Sequence, residues 1–310
     1  MFSASVLEKK AKSDKKKQMN TPTYKESELI LTPEGCVYHL NLRAEHIAEN
    51  VILVGDPGRV SLISKHFDTI EFERKNREFI THTGYYRNKR ITVLATGIGT
   101  DNIDISINEL DAAININPDT RTNNPELKQL NLIRIGTSGA LQEDIPVGSF
   151  VISEYGLGFD GLLHYYHYEA DQLTQDLNEQ IKTHLNLNSL QASPYLVKGS
   201  AKLLNLLGDG MIKGITATAC GFYGPQGRQL RLPIKNVDVN DRLNSFSYKG
   251  NRITNFEMET SALYGLGQLM GHSCCTVCVI VANRMRKAYA ADHHSPMENL
   301  IKHVLDKITA

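Results

Sequence analysis

The 310-residue sequence lacks tryptophan, a net charge and any long apolar run, and each absence excludes a class of protein. Lysine plus arginine equals aspartate plus glutamate at 34 each, so no overall field favours nucleic acid or a membrane surface as a partner. No apolar stretch approaches the roughly 18 residues that cross a bilayer. The five cysteines are an odd, scattered set, which argues against a disulfide framework and favours a cytoplasmic protein.

The balanced total hides a basic stretch at the N-terminus. Residues 1–17 contain six lysines against Glu8 and Asp14. A basic segment that is poor in apolar residues usually stays disordered, and this one lacks the apolar core of a secretory signal. We therefore predict a disordered tail over residues 1–19 and one folded domain over residues 20–310.

A pattern of apolar strand, glycine-rich loop and helix recurs along the domain. Strands alternating with helices predict an α/β architecture. Glycines after a strand also let backbone N–H groups face an anion, although many such loops bind no ligand. Three units are found, with strands at residues 51–54, 91–96 and 132–135 and glycine-rich loops at residues 55–59, 97–100 and 136–140.

Two carboxylates flank a methionine in Glu257-Met258-Glu259, just before a predicted buried helix over residues 261–270. Helix starts favour acidic side chains because these face the positive end of the peptide dipoles, so both residues can be ordinary first-turn acids. Alternatively, Glu259 binds a pair of adjacent hydroxyls, as on a ribose, since one carboxylate accepts two hydrogen bonds at once.

Arg134 is the one charged residue in the apolar strand predicted at residues 132–135. Burying a guanidinium is costly unless an anion meets it. The sequence leaves two interpretations equally weighted, an arginine at the surface edge of the sheet and a buried arginine that binds an anion.

Two further clusters have the residue types of metal sites without their spacing. Cys275 and Cys278 form a C-x-x-C pair inside an apolar run, and the sequence has no second cysteine pair to complete a zinc site. His164 and His167 lie among tyrosines without an acidic pair at suitable spacing. We interpret the cysteines as buried apolar residues and the histidine cluster as part of a flap or an interface.

Taken in order, six motifs resemble the nucleoside phosphorylases of the type that includes uridine phosphorylase and the hexameric purine nucleoside phosphorylases. Each motif alone is weak, whereas all six in one order are specific. The motifs are Gly55-Asp56-Pro57-x-Arg59, Arg77-Glu78-Phe79, Thr96-Gly97-Ile98-Gly99, Arg134-Ile135-Gly136-Thr137-Ser138-Gly139, Phe222-Tyr223-x-x-Gln226-x-Arg228 and Phe256-Glu257-Met258-Glu259.

The resemblance implies a single α/β domain whose central mixed, twisted sheet is partly barrel-like and flanked by helices. It also implies a nucleoside site that is shared between subunits, with a homodimer as the minimal active unit and a homohexamer as the full assembly. In this site, phosphate meets Gly55, Arg59, Arg134, Thr137 and Arg77 of a neighbour, and ribose meets Thr137, Glu257, Met258, Glu259 and His39 of a neighbour.

The base pocket implied by the resemblance is that of a uridine enzyme. Phe222, Gln226 and Arg228 match the uracil-binding arrangement, with Ala282 and Arg284 at its edge, and a carboxamide can meet the O2 and N3–H edge of uracil. Purine enzymes of the family place an aspartate where this chain has Ala282-Asn283-Arg284. The catalytic residues expected are therefore Arg134, Gln226, Arg228 and Glu259.

The expected reaction is phosphorolysis of uridine to uracil and ribose 1-phosphate, with inorganic phosphate as cosubstrate and no organic cofactor. A purine nucleoside phosphorylase or a nucleosidase is the alternative enzyme, and a non-catalytic nucleoside-binding protein is the alternative from another class. Family members can bind potassium through a glutamate, an isoleucine and a serine. Glu78 and Ile98 match two of these positions, whereas Asn102 replaces the serine.

Overall fold

The computed structural model describes residues 23–186, 192–292 and 294–310, and the predicted tail over residues 1–19 lies outside these ranges. Seven α-helices occur in the described ranges. They are α1 (Gly58–Ser64), α2 (Thr100–Asn115), α3 (Gln172–Leu185), α4 (Ala201–Leu207), α5 (Val239–Ser245), α6 (Thr260–Leu269) and α7 (His294–Ile308).

The same ranges contain fourteen strands, of which twelve form one sheet. The strands are β1 (Asn50–Val54), β2 (Thr69–Asn76), β3 (Phe79–Tyr86), β4 (Lys89–Ala95), β5 (Ile116–Asn117), β6 (Thr122–Asn123), β7 (Asn131–Ala140), β8 (Phe150–Gly158), β9 (Tyr195–Lys198), β10 (Ile212–Thr218), β11 (Ser247–Tyr248), β12 (Asn251–Glu257), β13 (Ser273–Asn283) and β14 (Ala288–Tyr289).

The large sheet is mixed, and one part of it closes into a barrel. Its strands follow the order β11-β12-β10-β8-β13-β7-β1-β4-β3-β2, with β9 on β8 and β14 on β13. The barrel consists of β7, β13, β8, β10 and β12, because β12 also pairs with β7 through Asn255 opposite Ala140 and Phe256 opposite Gly139. The predicted α/β domain with a partly barrel-like sheet is confirmed.

Helices cover both faces of the sheet because the central strands are apolar on both sides. All five residues of β1 are buried between the parallel strands β4 and β7. Leu53 packs in a cluster with residues of α2 and α6, whereas Ile52 packs in a second cluster with residues of α1, α4 and α7. Neighbouring residues of one strand thus contact two different helix layers.

Two features of the sheet differ from the sequence prediction. The glycine-rich segment over residues 136–140, predicted as a loop, continues β7 to Ala140, because β13 and β12 both supply backbone partners there. The antiparallel β2–β3 hairpin was not predicted. The predicted buried helix is present as α6.

Candidate active site

A cavity of about 720 Å³ lies where β1, β7, β12 and β13 end, and ligands of α/β proteins commonly bind at the carboxyl ends of strands. Loops, strand ends and a short helix from seven parts of the chain converge there. Its lining includes Gly55, Arg59, Ile98, Arg134, Thr137, Phe222, Gln226, Arg228, Glu257, Met258, Glu259, Ala282 and Arg284. The cavity therefore collects most of the residues that the sequence predicted for one site.

Glu259 lies immediately before α6 and joins two other parts of the cavity wall. Its Oε1 accepts a hydrogen bond of 3.0 Å from the backbone N–H of Gly99, and its Oε2 accepts one from the guanidinium of Arg134. Both side chains of this ion pair are buried, at 3% exposed for Glu259 and 6% for Arg134. A charge-assisted hydrogen bond of this kind fixes both side chains.

Glu257 has a different environment, although it lies only two residues away. Its carboxylate accepts hydrogen bonds from the backbone N–H groups of Glu259 at 2.9 Å and Thr260 at 3.0 and 3.1 Å, and from the Thr218 hydroxyl at 2.8 Å. Burial raises the pKa of Glu257 to about 7 despite the opposing charge of Arg134, whose Nη1 is 3.5 Å away. Glu257 thus satisfies the first N–H groups of α6.

Arg134 is 5% exposed, which excludes the surface-edge interpretation. Burial disfavours its cation, but the carboxylates of Glu259 and Glu257 outweigh that effect and raise the pKa of Arg134. The Nε atom of Arg134 is buried and has no hydrogen-bond partner among the described residues. Arg134 therefore pairs with two carboxylates and still has one buried N–H group, at Nε, that can donate a hydrogen bond.

Arg59 at the start of α1 supplies a second guanidinium. It donates to the carbonyl of Ile135 at 3.2 Å and forms no ion pair with any residue that the structure describes. Burial, followed by the nearby charge of Arg134, lowers the pKa of Arg59. Two partly desolvated guanidiniums at one wall favour an anionic ligand.

The loop after β10 brings an aromatic ring, a carboxamide and a guanidinium together. Arg228 donates to Gln226 Oε1 at 2.6 Å and to the Phe222 carbonyl at 2.5 Å, and its guanidinium lies 3.7 Å from the centre of the Phe222 ring. Burial and the charge of Arg284 lower the pKa of Arg228 to about 10. An aromatic face beside paired amide and guanidinium donors can hold a planar polar ring.

Three predicted residues lie away from this cavity in the same chain. His39 Nδ1 contacts Glu109 Oε1 at 2.6 Å, and the Arg77 guanidinium donates to the Tyr38 hydroxyl at 3.1 Å. Glu78 follows Arg77 in the turn between β2 and β3. None of the three lines the cavity of its own chain.

Asn102 is in contact with one of the other residues that the sequence placed in a potassium site. Its Nδ2 donates to the carbonyl of Ile98 at 3.2 Å, and Ile98 lines the cavity. Across the described ranges, no group of three or more histidine, cysteine or acidic residues could hold a metal ion.

The sequence did not indicate Asn240, Lys287 or Tyr289, which also line the cavity. Asn240 belongs to the short helix α5, and Lys287 and Tyr289 belong to the turn and strand that follow β13. These residues carry no motif, and only the fold brings them to the cavity.

Two guanidiniums that favour an anion and two carboxylates in one cavity of an α/β fold define a site that can bind an anion together with a polar ligand. The chain belongs to the Phosphorylase superfamily, whose model matches residues 49–308. The family resemblance carried by the six motifs is confirmed.

Known relatives cover most of the chain. The uridine phosphorylase of Thermococcus kodakarensis is 31% identical over 264 residues, which is 83% of this chain and 81% of that protein. The uridine phosphorylase of Haemophilus influenzae is 28% identical over 256 residues, 81% of this chain and 88% of that protein. The crystal structure of the Trypanosoma brucei nucleoside phosphorylase, described as showing uridine phosphorylase activity, matches with a TM-score of 0.83 and 27% identity over 91% of this chain and 100% of that chain.

Proposed function

We propose that this chain catalyses the phosphorolysis of uridine to uracil and ribose 1-phosphate. The observation that supports this most strongly is that one cavity joins the anion-favouring pair Arg59 and Arg134 to the amide and guanidinium of Gln226 and Arg228. Glu259 is hydrogen-bonded to Arg134, so a carboxylate lies beside the anion site. A nucleoside and phosphate bound together need these groups in one cavity: guanidiniums for phosphate, a carboxylate for the ribose hydroxyls, and amide and guanidinium donors for the base.

In this proposal, phosphate meets the backbone of Gly55, the guanidiniums of Arg59 and Arg134, and the hydroxyl of Thr137. The buried, unpartnered Nε–H of Arg134 supports the proposal, because it is a donor for an oxyanion that Glu259 does not occupy. Glu259 accepts hydrogen bonds from the ribose hydroxyls, and Met258 packs against the sugar. No organic cofactor takes part.

Cleavage lengthens the bond between C1′ of ribose and N1 of uracil, and C1′ gains positive charge while phosphate approaches from the opposite face. The electron pair leaves with the base and spreads over O2 and O4. Gln226 and Arg228 donate hydrogen bonds to these oxygens and stabilise the developing charge. The chain has Ala282-Asn283-Arg284, which contains no acid, where purine enzymes of the family place an aspartate, and uracil requires no proton at that point.

We also propose that the active unit is at least a homodimer, assembled further into a homohexamer. Arg77 and His39 do not line the active-site cavity of their own chain, which supports their donation to a neighbour's phosphate and ribose sites. A potassium ion between Glu78, Ile98 and Asn102 and a location in the cytoplasm remain predictions from the sequence. No helix in the described ranges is long and apolar enough to cross a membrane.

A panel of nucleosides assayed with and without phosphate tests the proposed function. We expect uridine to be consumed only with phosphate present, and inosine to be consumed far more slowly. Deoxyuridine and thymidine belong in the panel. Deoxyuridine lacks the 2′-hydroxyl, so its turnover measures how much the reaction depends on a hydrogen bond from that group to Glu259. Thymidine also adds a 5-methyl group to the base, so it tests the space beside Phe222, Gln226 and Arg228. Turnover of inosine but not uridine would identify a purine enzyme, and turnover without phosphate would identify a nucleosidase.

A binding measurement separates the enzyme from a non-catalytic nucleoside-binding protein. Tight uridine binding without turnover, unaltered in Glu259→Ala, would contradict the proposed catalysis. We expect instead that Glu259→Ala weakens uridine binding and abolishes most of the phosphorolysis, because the ribose loses its carboxylate partner.

A further inference from the structure

The backbone carbonyl of Gln226 receives hydrogen bonds from two side chains that come from separate parts of the fold. Arg284, just beyond the end of β13, donates from Nη2 at 2.8 Å, and Asn240, in the first turn of α5, donates from Nδ2 at 3.4 Å. Two donors occupy both lone pairs of one carbonyl oxygen. The backbone on either side of the Gln226 side chain is therefore tied to β13 and to α5.

Gly227 shows how closely Asn240 approaches this backbone. Its φ of +69° lies in the left-handed region that favours glycine, and a Cβ atom there would lie 2.8 Å from Nδ2 of Asn240. A residue with a Cβ atom at position 227 would be strained in this turn and would meet the amide of Asn240.

The loop that carries Gln226 has open space on both sides. Phe222, Gln226 and Gly227 line the active-site cavity, whereas Tyr223 and Pro225 line a second cavity of about 890 Å³. Side chains that face a cavity lack the dense contacts that fix a position in a protein core. Packing alone therefore does not hold the loop.

Gln226 is nevertheless buried, unlike its neighbours in the loop. It is 3% exposed, whereas its neighbours in the loop, Phe222 and Tyr223, are 51% and 54% exposed. Within the loop, Gln226 is held by Arg228, which donates to its Oε1, and by the Tyr223 carbonyl, which accepts from its N–H. The two hydrogen bonds to its own carbonyl are the side-chain contacts that join it to elements outside the loop.

We infer that Arg284 and Asn240 are positioning residues, which hold the Gln226 carboxamide at the angle needed to recognise the base. The sequence placed Arg284 at the edge of the base pocket without giving it this role. The inference rests on the proposed function, since it assumes that Gln226 contacts uracil. It assigns Asn240, in the polar segment between β10 and β12, to the recognition of the base.

A double-mutant cycle separates positioning from direct contact. Arg284→Met, which keeps an unbranched apolar stem, is made in the wild-type chain and in a Gln226→Ala chain, and Asn240→Ala is made in the same two backgrounds. We expect each change to lower kcat/KM for uridine by roughly tenfold or more in the wild type, and by less than about threefold when the carboxamide is already absent.

Equal losses in both backgrounds would overturn the inference, because Arg284 or Asn240 would then act on the base independently of Gln226. Where Gln226→Ala turns over too slowly for kinetics, the affinity for uracil, measured by calorimetry on the same six proteins, decides between the same two outcomes. Where Arg284→Met does not fold, the Asn240→Ala arm completes the cycle. Arg286→Met, an exposed arginine two residues further on, is the matched control and should leave kcat/KM unchanged.

A partial rescue supplies a further readout. Arg284→Lys keeps a cation that can reach the Gln226 carbonyl, so it should recover part of the activity that Arg284→Met loses, and thermal unfolding of both variants should be alike. If the wild-type protein does not turn over uridine, the proposed function is wrong. The positioning role is tested separately, by comparing the loss of kcat/KM in the wild-type background with the loss in the Gln226→Ala background.

Discussion

Glu257 and Glu259 show that position decides the function of two residues with the same side chain. Glu257 is the last residue of β12, where its carboxylate faces the first free N–H groups of α6. Glu259 is the residue that precedes α6, and its carboxylate leaves the helix to meet Gly99 and Arg134. One carboxylate completes a helix start, and the other joins the backbone at Gly99 to the guanidinium of Arg134.

The raised pKa of Glu257 predicts a pH dependence of stability. Because burial raises the pKa of Glu257 to about 7, the native state keeps a proton that the unfolded chain releases near the ordinary carboxyl value. Its contribution to stability is therefore complete at low pH and is lost as the pH rises through about 7. We expect the Tm of the wild type, relative to that of Glu257→Gln, to fall between about pH 5 and pH 8.

The control for this measurement is Glu298→Gln, since Glu298 accepts a hydrogen bond from Lys65 at the surface and its pKa is lowered rather than raised. The Tm of the wild type relative to this control should not fall with rising pH. A difference between wild type and Glu257→Gln that stays constant across the range would show that Glu257 does not titrate there.

For single residues, the sequence shows that a buried charge needs a partner more readily than it shows which residue that partner is. An arginine in an apolar strand requires an anion when it is buried, and that much follows from residues 132–135. The partner, Glu259, lies 125 positions further along the chain, and only the closure of the sheet brings it to Arg134. Asn240 could not be found in this way, because an asparagine at a helix start is ordinary.

At the scale of elements, the position of α6 depends on a glycine of the barrel. Gly156 in β8 faces the start of α6, and a Cβ atom at this position would lie 2.8 Å from Cα of Ser261. The contact is with backbone, which cannot rotate away as a flexible side chain can. The helix that follows Glu259 thus lies directly on the sheet at this point.

Gly156→Ala should therefore move α6 and disturb the site that lies before it. Overpacking of this kind costs on the order of 1–3 kcal/mol in the free energy of unfolding. We expect chemical denaturation to show that loss, together with a lower kcat/KM for uridine, because a displaced α6 separates Glu259 from Arg134.

Gly210→Ala is a suitable comparison, because nothing lies within 4 Å of its Cβ position while its φ of +72° strains any other residue. It should reduce stability and leave kcat/KM unchanged. Full uridine turnover by Gly156→Ala would mean that α6 does not fix the position of Glu259.

The elements themselves could be predicted where they depend on local pattern. The strand, glycine and helix units around β1, β4 and β7 follow from short apolar runs that glycines end. The extension of β7 to Ala140 and the β2–β3 hairpin could not be predicted, because their strands depend on partners that are distant in sequence or on polar, alternating residues. Long-range pairing overrides the local preference of glycine for loops.

At the scale of the whole molecule, one chain contains most of the proposed site but not all of it. Arg77 lies in the β2–β3 turn, at the edge of the sheet, where its guanidinium is 5.1 Å from the centre of the Tyr38 ring. This end of the sheet is opposite to the barrel that holds Glu259 and Gln226. A second chain that brings its own β2–β3 turn to the cavity would add the missing cation.

A mixture of two inactive variants tests this sharing of sites. Arg77→Ala removes only the donated residue, and Glu259→Gln impairs only the receiving cavity. In a homodimer with shared sites, random exchange of equal amounts gives half hybrid dimers with one intact site each, so we expect about a quarter of wild-type activity. The mixture is unfolded and refolded together to exchange subunits, and each variant treated alone is the control.

Activity in the mixture no higher than the mean of the two variants would contradict donation of Arg77 by a neighbour. An active monomer in sedimentation would contradict it independently, because a monomer cannot place Arg77 in a neighbouring cavity. The recovered activity should also require phosphate at wild-type concentrations, since the hybrid site regains every guanidinium of the proposed phosphate site. A hybrid that needs much more phosphate than the wild type would show that Arg77 acts in its own chain.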